Sequence, residues 1–292
     1  HRLLNQFPFG NMAEDPQLTA ALNVMRRMPP SRIENSLAGL IELVPDLTDD
    51  LLNNVDQPLK TQKDPTTGRE YILCDYNRDG DSYRSPWSNK YFPEVDDGFV
   101  PTPALRQMEI DANNVFDTYR KLYFDTGFSS VYFFNTDEKE DESFGACFLI
   151  HKDVEAQKGL TEGVWDSIHV FEVSATKAGH FEYKLTTTVM VSMAVNNGKV
   201  GDVDLSGSMT KQSQQTLPVT KVQTHIANMG KMLEEMELMI RNSIESVYIQ
   251  KTREVINGMR ASDSAASDAF MKITKSLNAA VLAHGGKRQK DS

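Results

Sequence analysis

The chain has 292 residues, 31 lysines and arginines against 41 aspartates and glutamates, and a formal net charge of −10. Hydrophobic residues make up 39% and charged residues 25%, an ordinary globular mixture that excludes collagen, low-complexity disorder and a coiled-coil rod for the whole chain. No window reaches about 18 consecutive apolar residues, so no membrane span is expected. The length fits one large domain or two small ones.

The start of the chain and its cysteines indicate an intracellular protein. The opening HRLLNQFPFGNM has no basic region followed by a long apolar core, so it is not predicted to be a signal peptide. We expect the native start near Met12, and residues 1–11 to form a disordered extension. Cys74 and Cys147 are too few for a disulfide scaffold, and the sequence has no Asn-x-Ser/Thr site. Both thiols are therefore predicted to be free and structural.

The charge is unevenly distributed. Residues 220–292 hold 11 basic and 8 acidic residues, whereas residues 1–219 hold 20 and 33. An acidic body repels phosphates, so no nucleic acid partner is expected. The basic end suits an acidic protein or an anionic lipid, or it is a solvated tail that aids solubility, and charge alone leaves these alternatives open.

Residues 14–54 are predicted to form three short helices separated by prolines. Asp15 would cap the first helix and Pro16 would occupy its first turn. After Pro29-Pro30, Ser31 and Glu34 match a capping box for the second helix. Connections this short favour antiparallel neighbours. Apolar residues at helical spacing define the inward faces: Leu18, Leu22, Met25, Ile33, Leu37, Leu40, Ile41, Leu47 and Leu51.

Residues 55–101 are rich in Asp, Pro, Gly and Tyr, and an irregular connecting region is expected there. Within it, DYNRDGD at 75–81 matches the first half of a calcium loop. The twelfth position, where that loop needs a bidentate Glu, is Pro86, and no flanking helices are expected. A chain of Asx turns is the favoured alternative.

A helix starting at Thr102-Pro103 and ending at Gly127 comes next. Its predicted apolar stripe consists of Leu105, Met108, Ala112, Val115, Tyr119 and Leu122. The period then changes to two, giving strands at 128–135, 144–151, 165–174 and 180–195 and a fifth before residue 212. Because polar residues occupy the even positions of 180–195, we expect an antiparallel five-strand meander with one wet face.

From Lys221 to about Met259 the spacing is helical again. Such a helix is about 55 Å long, more than a five-stranded sheet can cover. A nearly heptad stripe of this length needs a long partner, so we expect the helix to lie across its own sheet and also to contact a second subunit. The stripe consists of Ile226, Met229, Leu233, Met236, Ile240, Ile244 and Val247.

After the small, polar segment 261–269, a short amphipathic helix is predicted. Phe270, Ile273, Leu277 and Val281 share one face, with Lys272 and Lys275 off that face, and Gly285-Gly286 ends the helix. A docked core helix would show the same stripe. The tether before it and the basic residues after it favour a helix that binds a groove on a partner.

The common catalytic and metal-binding motifs are absent from the sequence. The sequence contains no G-x-x-x-x-G-K, G-x-G-x-x-G, G-x-S-x-G or H-E-x-x-H. The six histidines show no metal spacing, and His169 is predicted to be a hydrogen-bonded strand residue. No catalytic residue, metal or cofactor is therefore predicted, and an enzyme has no positive support.

Residues 72–91, ILCDYNRDGDSYRSPWSNKY, closely resemble the β-subunit family of the F-actin capping protein. The resemblance runs from Met12 to residue 260 and is weaker in letters beyond that point. It continues through MRRMPPSRIENSLAGLIELVPDL, VDQPLK, NNVFDTYRKLYF, VWDSIHV, YKLTTTVM, HIANMGKMLEEME and VINGMR.

The resemblance implies an α+β fold. Its parts are an N-terminal three-helix stalk (12–54), the irregular region (55–101), a helix, a five-stranded meander and a covering long helix (102–260), and a C-terminal tentacle (261–292). It also implies an obligate heterodimer with an α subunit, whose sheet joins this one into ten antiparallel strands. The long-helix residues assigned to that interface are Ile226, Met229, Leu233, Met236 and Ile240.

The family implies that the dimer binds the barbed ends of actin filaments, independently of calcium, and blocks addition and loss of subunits. The tentacle would seat Phe270, Ile273, Leu277 and Val281 in a cleft of a terminal actin, flanked by Lys272 and Lys275. Lys231 would contact actin and phosphoinositides, and CARMIL-type regulators would wrap the stalk. The expected location is the cytoplasm and its cytoskeleton.

The sequence leaves three other functional hypotheses open. The same dimer can serve as a structural subunit of a dynactin-like assembly, which uses the same surfaces. The basic terminal helix alone would suit a membrane-surface protein. A calcium-dependent enzyme using residues 75–86 is the least supported, since the loop lacks its bidentate ligand.

Overall fold

The structure is a computed structural model that describes residues 16–25, 28, 30–136, 143–154, 162–177, 179–197 and 201–260. Side chains are described throughout these ranges except at 31, 53, 162, 194–205 and 245–260. Contacts divide the chain into two compact units, residues 1–240 and 241–292. The predicted extension at 1–11, the Asp15 cap and the C-terminal amphipathic helix lie outside the described residues.

Three helices open the described chain, as predicted: α1 (Pro16–Met25), α2 (Ile33–Leu43) and α3 (Thr48–Asn54). The capping box is wrong. Residues Pro30–Arg32 form a 3₁₀ turn, and α2 has Arg32 at its N-cap with no side-chain cap hydrogen bond. The fixed φ of Pro30 starts the turn before Ser31 reaches the cap position, so the chain runs from the turn directly into the helix.

The region 55–101 is less irregular than predicted. Each of its two small sheets is built from neighbouring strands, and Lys60 pairs with Leu73 at the end of the first. The strands are two to four residues long, too short to show a period of two in the sequence. They are β1 (Lys60–Lys63), β2 (Glu70–Leu73), β3 (Arg78–Asp79), β4 (Ser82–Arg84) and β5 (Tyr91–Phe92).

Helix α4 spans Pro103–Tyr123, with Thr102 at its N-cap as predicted. Its apolar stripe is partly wrong, because Val115 is 59% and Leu122 74% exposed, while Phe116 is buried. At about 100° per residue, position 116 lies about 20° around the axis from Leu105, whereas position 115 lies about 80° away. The buried face of α4 therefore includes position 116 and not position 115. Phe116 packs edge-on against Phe148, with ring centroids 5.2 Å apart.

The five-stranded antiparallel meander is confirmed. Its strand order is β10-β9-β8-β7-β6, so chain neighbours are also sheet neighbours. The β8–β9 register shifts only between Ala175 and Lys177. The strands are β6 (Phe128–Asn135), β7 (Ser143–Val154), β8 (Glu162–Lys177), β9 (His180–Asn197) and β10 (Gly201–Pro218).

Both faces of the central strands are covered, which corrects the expectation of one wet face. On β9, Thr188 is 5% and Met190 1% exposed, although both occupy the predicted polar face. The N-terminal helices and the region after them pack over this face. They form one core with Tyr132, Leu149 and Met190 of the sheet. The alternation predicted the strand correctly but could not show that the helices at residues 16–54 return to cover it.

Helix α5 spans Val222–Arg260, within one residue of the predicted bounds. At about 1.5 Å per residue its 39 residues extend about 58 Å. Its first half packs on the sheet face opposite the N-terminal helices, where Phe144 and Phe181 contact His225. Buried apolar positions recur along this half: Ile226, Met229, Met232, Leu233, Met236 and Ile240.

Candidate partner interface

The outer edge of β10 is the open end of the sheet. All 18 residues of β10 pair with β9, from Gly201 opposite Asn197 to Pro218 opposite His180, and within the described ranges no strand pairs with the other side. At about 3.3 Å per residue this edge is about 59 Å long. From residue 211 to 218, half-buried and exposed side chains alternate. A long edge with unpaired backbone groups is a template for pairing with another strand.

The opposite edge, β6, is closed by side chains of α4. Asn113 forms two hydrogen bonds with one residue of β6: its Nδ2 donates to the Val131 carbonyl at 2.8 Å and its Oδ1 accepts from the Val131 N–H at 2.9 Å. One turn earlier, Glu109 Oε2 accepts from the Phe133 N–H at 2.8 Å. These are the backbone groups that a further strand would use. Another strand can therefore add to β10 but not to β6.

Glu109 is held in place by two arginines. Arg84 donates from Nη1 to Oε1 at 2.8 Å and from Nη2 to Oε2 at 2.7 Å, and Arg106 also donates to Oε1. The side chains of Arg84 and Glu109 are 2% and 0% exposed. A buried bidentate pair of this kind needs every oxygen satisfied, and the Phe133 N–H completes the set. The closure of the β6 edge thus rests on a buried ionic cluster.

Buried polar contacts position α5 on the sheet. His169 of β8 lies between Thr187 Oγ1, at 2.9 Å from Nδ1, and Glu237 Oε1, at 3.0 Å from Nε2. Near the helix start, Tyr183 and His225 form a hydrogen bond of 2.7 Å between the tyrosine hydroxyl and Nδ1. Burial lowers the pKa of His225 to about 4, so this imidazole is neutral at physiological pH. The predicted hydrogen-bonded strand role of His169 is confirmed.

The five residues assigned to the α-subunit interface are buried in this chain's own core. Ile226 is 9% exposed, and Met229, Leu233, Met236 and Ile240 are each 2% or less exposed. These side chains complete the core between α5 and the sheet. Their contact with an α subunit stays a prediction.

The outer surface of α5 carries the groups available to a partner. Leu238 is 59% and Met239 48% exposed. Lys231 lies 3.9 Å from Glu235 across one helical turn, and both side chains are more than half exposed, so this pair is weak. The helix continues from Arg241 to Arg260, about 30 Å further. Lys231 is thus placed on an exposed helical surface, as its predicted role requires.

The remaining predicted actin-contact residues lie outside the described residues. They stay predictions, and they are Phe270, Lys272, Ile273, Lys275, Leu277 and Val281. Sequence reasoning missed the closure of the β6 edge, although the signal was present. Glu109 and Asn113 are polar residues four apart on the buried side of α4, and a buried acid at such a position needs a partner.

The DYNRDGD segment has a structural role. Residues Asp75–Asn77 form a 3₁₀ turn, and Asn77 is 1% exposed. Its side chain accepts from the Cys74 N–H at 2.9 Å and donates to the Arg84 carbonyl at 2.9 Å. In the described part of the chain, no three His, Cys, Asp or Glu side chains are grouped as a metal site. The turn therefore fixes the strand carrying Arg84, which in turn holds Glu109.

Comparison with known proteins identifies the family. The fold is similar to a solved structure described as homodimeric actin capping protein alpha subunit from Plasmodium berghei, with a TM-score of 0.50 and 16% identity over 84% of this chain and 95% of that one. A family profile described as F-actin capping protein, beta subunit, matches residues 18–256. The chain belongs to this β-subunit family.

Relatives named F-actin-capping protein subunit beta match over nearly their full length. The Drosophila melanogaster protein is 47% identical over 268 residues, covering 91% of this chain and 95% of the relative. The Dictyostelium discoideum protein is 48% identical over 248 residues, covering 84% and 90%. The Caenorhabditis elegans protein is 44% identical over 272 residues, covering 93% and 99%.

Proposed function

We propose that this chain is the β subunit of a heterodimeric actin capping protein, which binds filament barbed ends without calcium and blocks addition and loss of actin subunits. The observation that carries the proposal is the asymmetry of the sheet. One edge is closed by Glu109 and Asn113, whereas the 18-residue edge of β10 is open. Family membership supplies the activity to be tested on this chain.

The open edge suits an α subunit of similar fold. Antiparallel pairing of β10 with the equivalent strand of an α subunit would produce a ten-stranded sheet. Among the described side chains of β10, the exposed ones are polar except for Pro218, so most of the pairing energy would come from backbone hydrogen bonds, about 0.5–1.5 kcal/mol each. Beyond Ile240, α5 continues for 20 residues. This second half would extend the contact over the partner.

Capping requires slow dissociation and no catalytic group. A basic surface that includes Lys231 would steer the dimer to acidic actin and raise mainly the association rate. The C-terminal segment would then bind a second site, where the linkage gives it a high effective concentration. Burial of Phe270, Ile273, Leu277 and Val281 would contribute about 1.5–3 kcal/mol each before ordering costs are subtracted.

The location and the regulators follow from the same proposal. A capping subunit is associated with the cytoskeleton, and we place this one in the cytoplasm. In the part of the chain that the structure describes, no helix is long and apolar enough to cross a bilayer. Phosphoinositide contact at Lys231 and CARMIL-type binding to the N-terminal helices remain proposals from the family resemblance. No described feature favours the dynactin-like alternative.

Elongation of actin from filament seeds tests the function. The full chain, co-expressed with a capping protein α subunit, is compared with a truncation after Ala269. Both should stop barbed-end growth, and the truncated form should dissociate faster because it lacks the second contact. A matched variant, Leu277→Asp, should behave like the truncation, while Ser276→Asp on another face should not. Growth unaffected by excess full-length dimer would refute capping while leaving the heterodimer fold intact.

A further inference from the structure

His151 of β7 lies between two carboxylates. Its Nδ1 is 2.5 Å from Asp166 Oδ1 and its Nε2 is 3.2 Å from Asp153 Oδ2. An ionised carboxylate only accepts hydrogen bonds, and a neutral imidazole carries only one N–H. Both contacts are hydrogen bonds only when both ring nitrogens are protonated. The geometry therefore fits an imidazolium cation.

His169 provides a contrast within the same sheet. Its Nδ1 contacts the hydroxyl of Thr187 and its Nε2 contacts Glu237. A hydroxyl either donates or accepts, so a neutral His169 satisfies both contacts. Of these two histidines, His151 is the one whose contacts require two ring protons.

Asp166 joins His151 to the chain that connects the N-terminal helices to the sheet. Its side chain is 2% exposed, and its second oxygen, Oδ2, accepts from the Leu59 N–H at 3.0 Å. Leu59 is itself buried and directly precedes β1. Residues 55–59, the connecting segment, lead there from the end of α3. Asp166 thus fastens the connecting segment to β8, and a buried carboxylate of this kind needs a compensating cation.

Two carboxylates contact His151. Asp166 faces it from β8 and Asp153 from its own strand, while the residue paired with it on β6 is Phe128. Lys60, next to Leu59, pairs with Glu34 at 2.7 Å. The hydrogen bond to Asp166 is the main cause that raises the pKa of His151 above its usual 6.5, and partial burial opposes it. Proton loss from His151 therefore occurs at a higher pH than in an unperturbed histidine.

We propose that His151, Asp166 and the Leu59 N–H form a proton-operated latch. With His151 doubly protonated, the Asp166 carboxylate is compensated and holds Leu59, so the connecting segment is fastened to the sheet. Loss of one proton leaves the buried carboxylate without its cation and turns a lone pair of His151 towards Asp153 or Asp166. The connecting segment then opens more often. This regulation goes beyond the proposed capping function and does not depend on it.

Amide hydrogen exchange of the connecting segment tests the latch. The full-length chain is used in the assembly in which it purifies, from pH 6 to 9. At each pH, the exchange rate of the Leu59 amide in the wild type is divided by the rate in His151→Lys, a variant that keeps a cation at every pH. We expect this ratio to rise about tenfold as His151 loses its proton, the effect of losing one charge-assisted hydrogen bond. Residues 183–191 of β9 serve as an internal control and should show a constant ratio. A constant ratio at Leu59 would overturn the proposal.

Asp153→Asn gives a second, independent readout. The Asp153 side chain is 63% exposed, so the substitution should leave the fold intact. Removing one of two neighbouring acids should move the transition at Leu59 to lower pH by about half a unit to one unit. A merely structural role for His151 would leave the midpoint where it was. An unmoved midpoint would therefore contradict the latch even if His151→Lys failed to fold.

Discussion

The two edge strands of the five-stranded sheet differ in whether their outward backbone groups have partners within the described chain. Strand β6 has eight mostly apolar residues, and Glu109 and Asn113 of α4 take up the backbone groups of Val131 and Phe133. Strand β10 has 18 residues, many of them polar, and its outer edge is unpaired within the described chain. The comparison shows that, within the described chain, the outward backbone groups of Val131 and Phe133 on one edge are satisfied by α4, whereas no strand pairs with the outer side of β10.

The side-chain composition of each edge strand matches whether that edge is covered or unpaired. An exposed apolar edge such as FSSVYFFN would pair with any other strand and aggregate. Closing it with buried side chains removes that hazard permanently. The outer edge of β10 is unpaired within the described chain, and the Ser, Thr, Gln and Lys side chains of this strand disfavour aggregation.

The largest expected effect follows from opening the closed edge. Glu109→Ala would leave the buried Arg84 without its carboxylate and the Phe133 N–H without an acceptor. We expect a loss of about 3–5 kcal/mol in the free energy of unfolding, measured by urea denaturation of the purified complex. Gln107→Ala, at an exposed position of the same helix, is the control and should stay within about 0.5 kcal/mol. A small loss for Glu109→Ala would show that the ionic cluster does not hold the edge.

Proline substitution on β10 probes the open edge. Neighbouring residues of a strand point their N–H groups to opposite sides, so Ser213→Pro and Gln214→Pro should act differently. The proline that replaces an N–H pointing towards β9 removes a hydrogen bond between the strands and should cost about 3 kcal/mol of stability. The proline that replaces an N–H pointing away from β9 should keep the fold but weaken binding of the α subunit by roughly 10–100-fold, measured by analytical ultracentrifugation. If both variants bound the α subunit normally, β10 would not be the joining strand.

Asn113 and its neighbour Asn114 form a matched pair on α4. Asn113→Leu removes both hydrogen bonds to Val131, whereas the side chain of Asn114 is exposed. We expect Asn113→Leu to lower the free energy of unfolding by about 2–3 kcal/mol and Asn114→Leu to change it by less than about 0.5 kcal/mol. Denaturant titration of both variants checks this difference. Equal effects would mean that helix composition, and not the closed edge, sets the stability.

The smallest expected effect concerns His225, which helps to hold α5 near the open edge. Its pKa of about 4 in the folded chain lies below the usual 6.5, so the unfolded chain binds more protons between these values. Stability from this group is complete above pH 6.5 and is lost as the pH falls towards 4. From pH 7.5 to 5.5 we expect a loss of about 1 kcal/mol that is absent in His225→Gln.

Thermal unfolding at several pH values measures the His225 effect. The exposed Gln223 near the start of α5, replaced by Asn, is the control and should retain the wild-type slope because it does not titrate. His151 works in the opposite direction, because its raised pKa gives stability that is lost as the pH rises. The difference between wild type and each histidine variant therefore isolates one histidine. A His225→Gln variant with the wild-type slope would show that this imidazole does not titrate on unfolding.

Much of the fold could be predicted from local signals. The start of α4 followed from Thr102-Pro103, the bounds of β6 were matched at 128–135, and α5 differed by one residue at each end. Errors occurred where long-range packing decides. Val115 is exposed, Met190 is buried under the N-terminal helices, and the short strands between 60 and 92 pair locally without a visible period.

The sequence by itself determined the family, the element order and the meander, because periodicity and turn residues act over short distances and the shared motifs span nearly the whole chain. Only the tertiary structure decided which edge is available. Glu109 gains its role from Arg84 and Phe133, and Asp166 from Leu59 and His151. These partners lie 15 to 107 residues away in sequence, so no local pattern reveals them. Burial then makes each contact matter, since a polar group removed from water must find its partner within the fold.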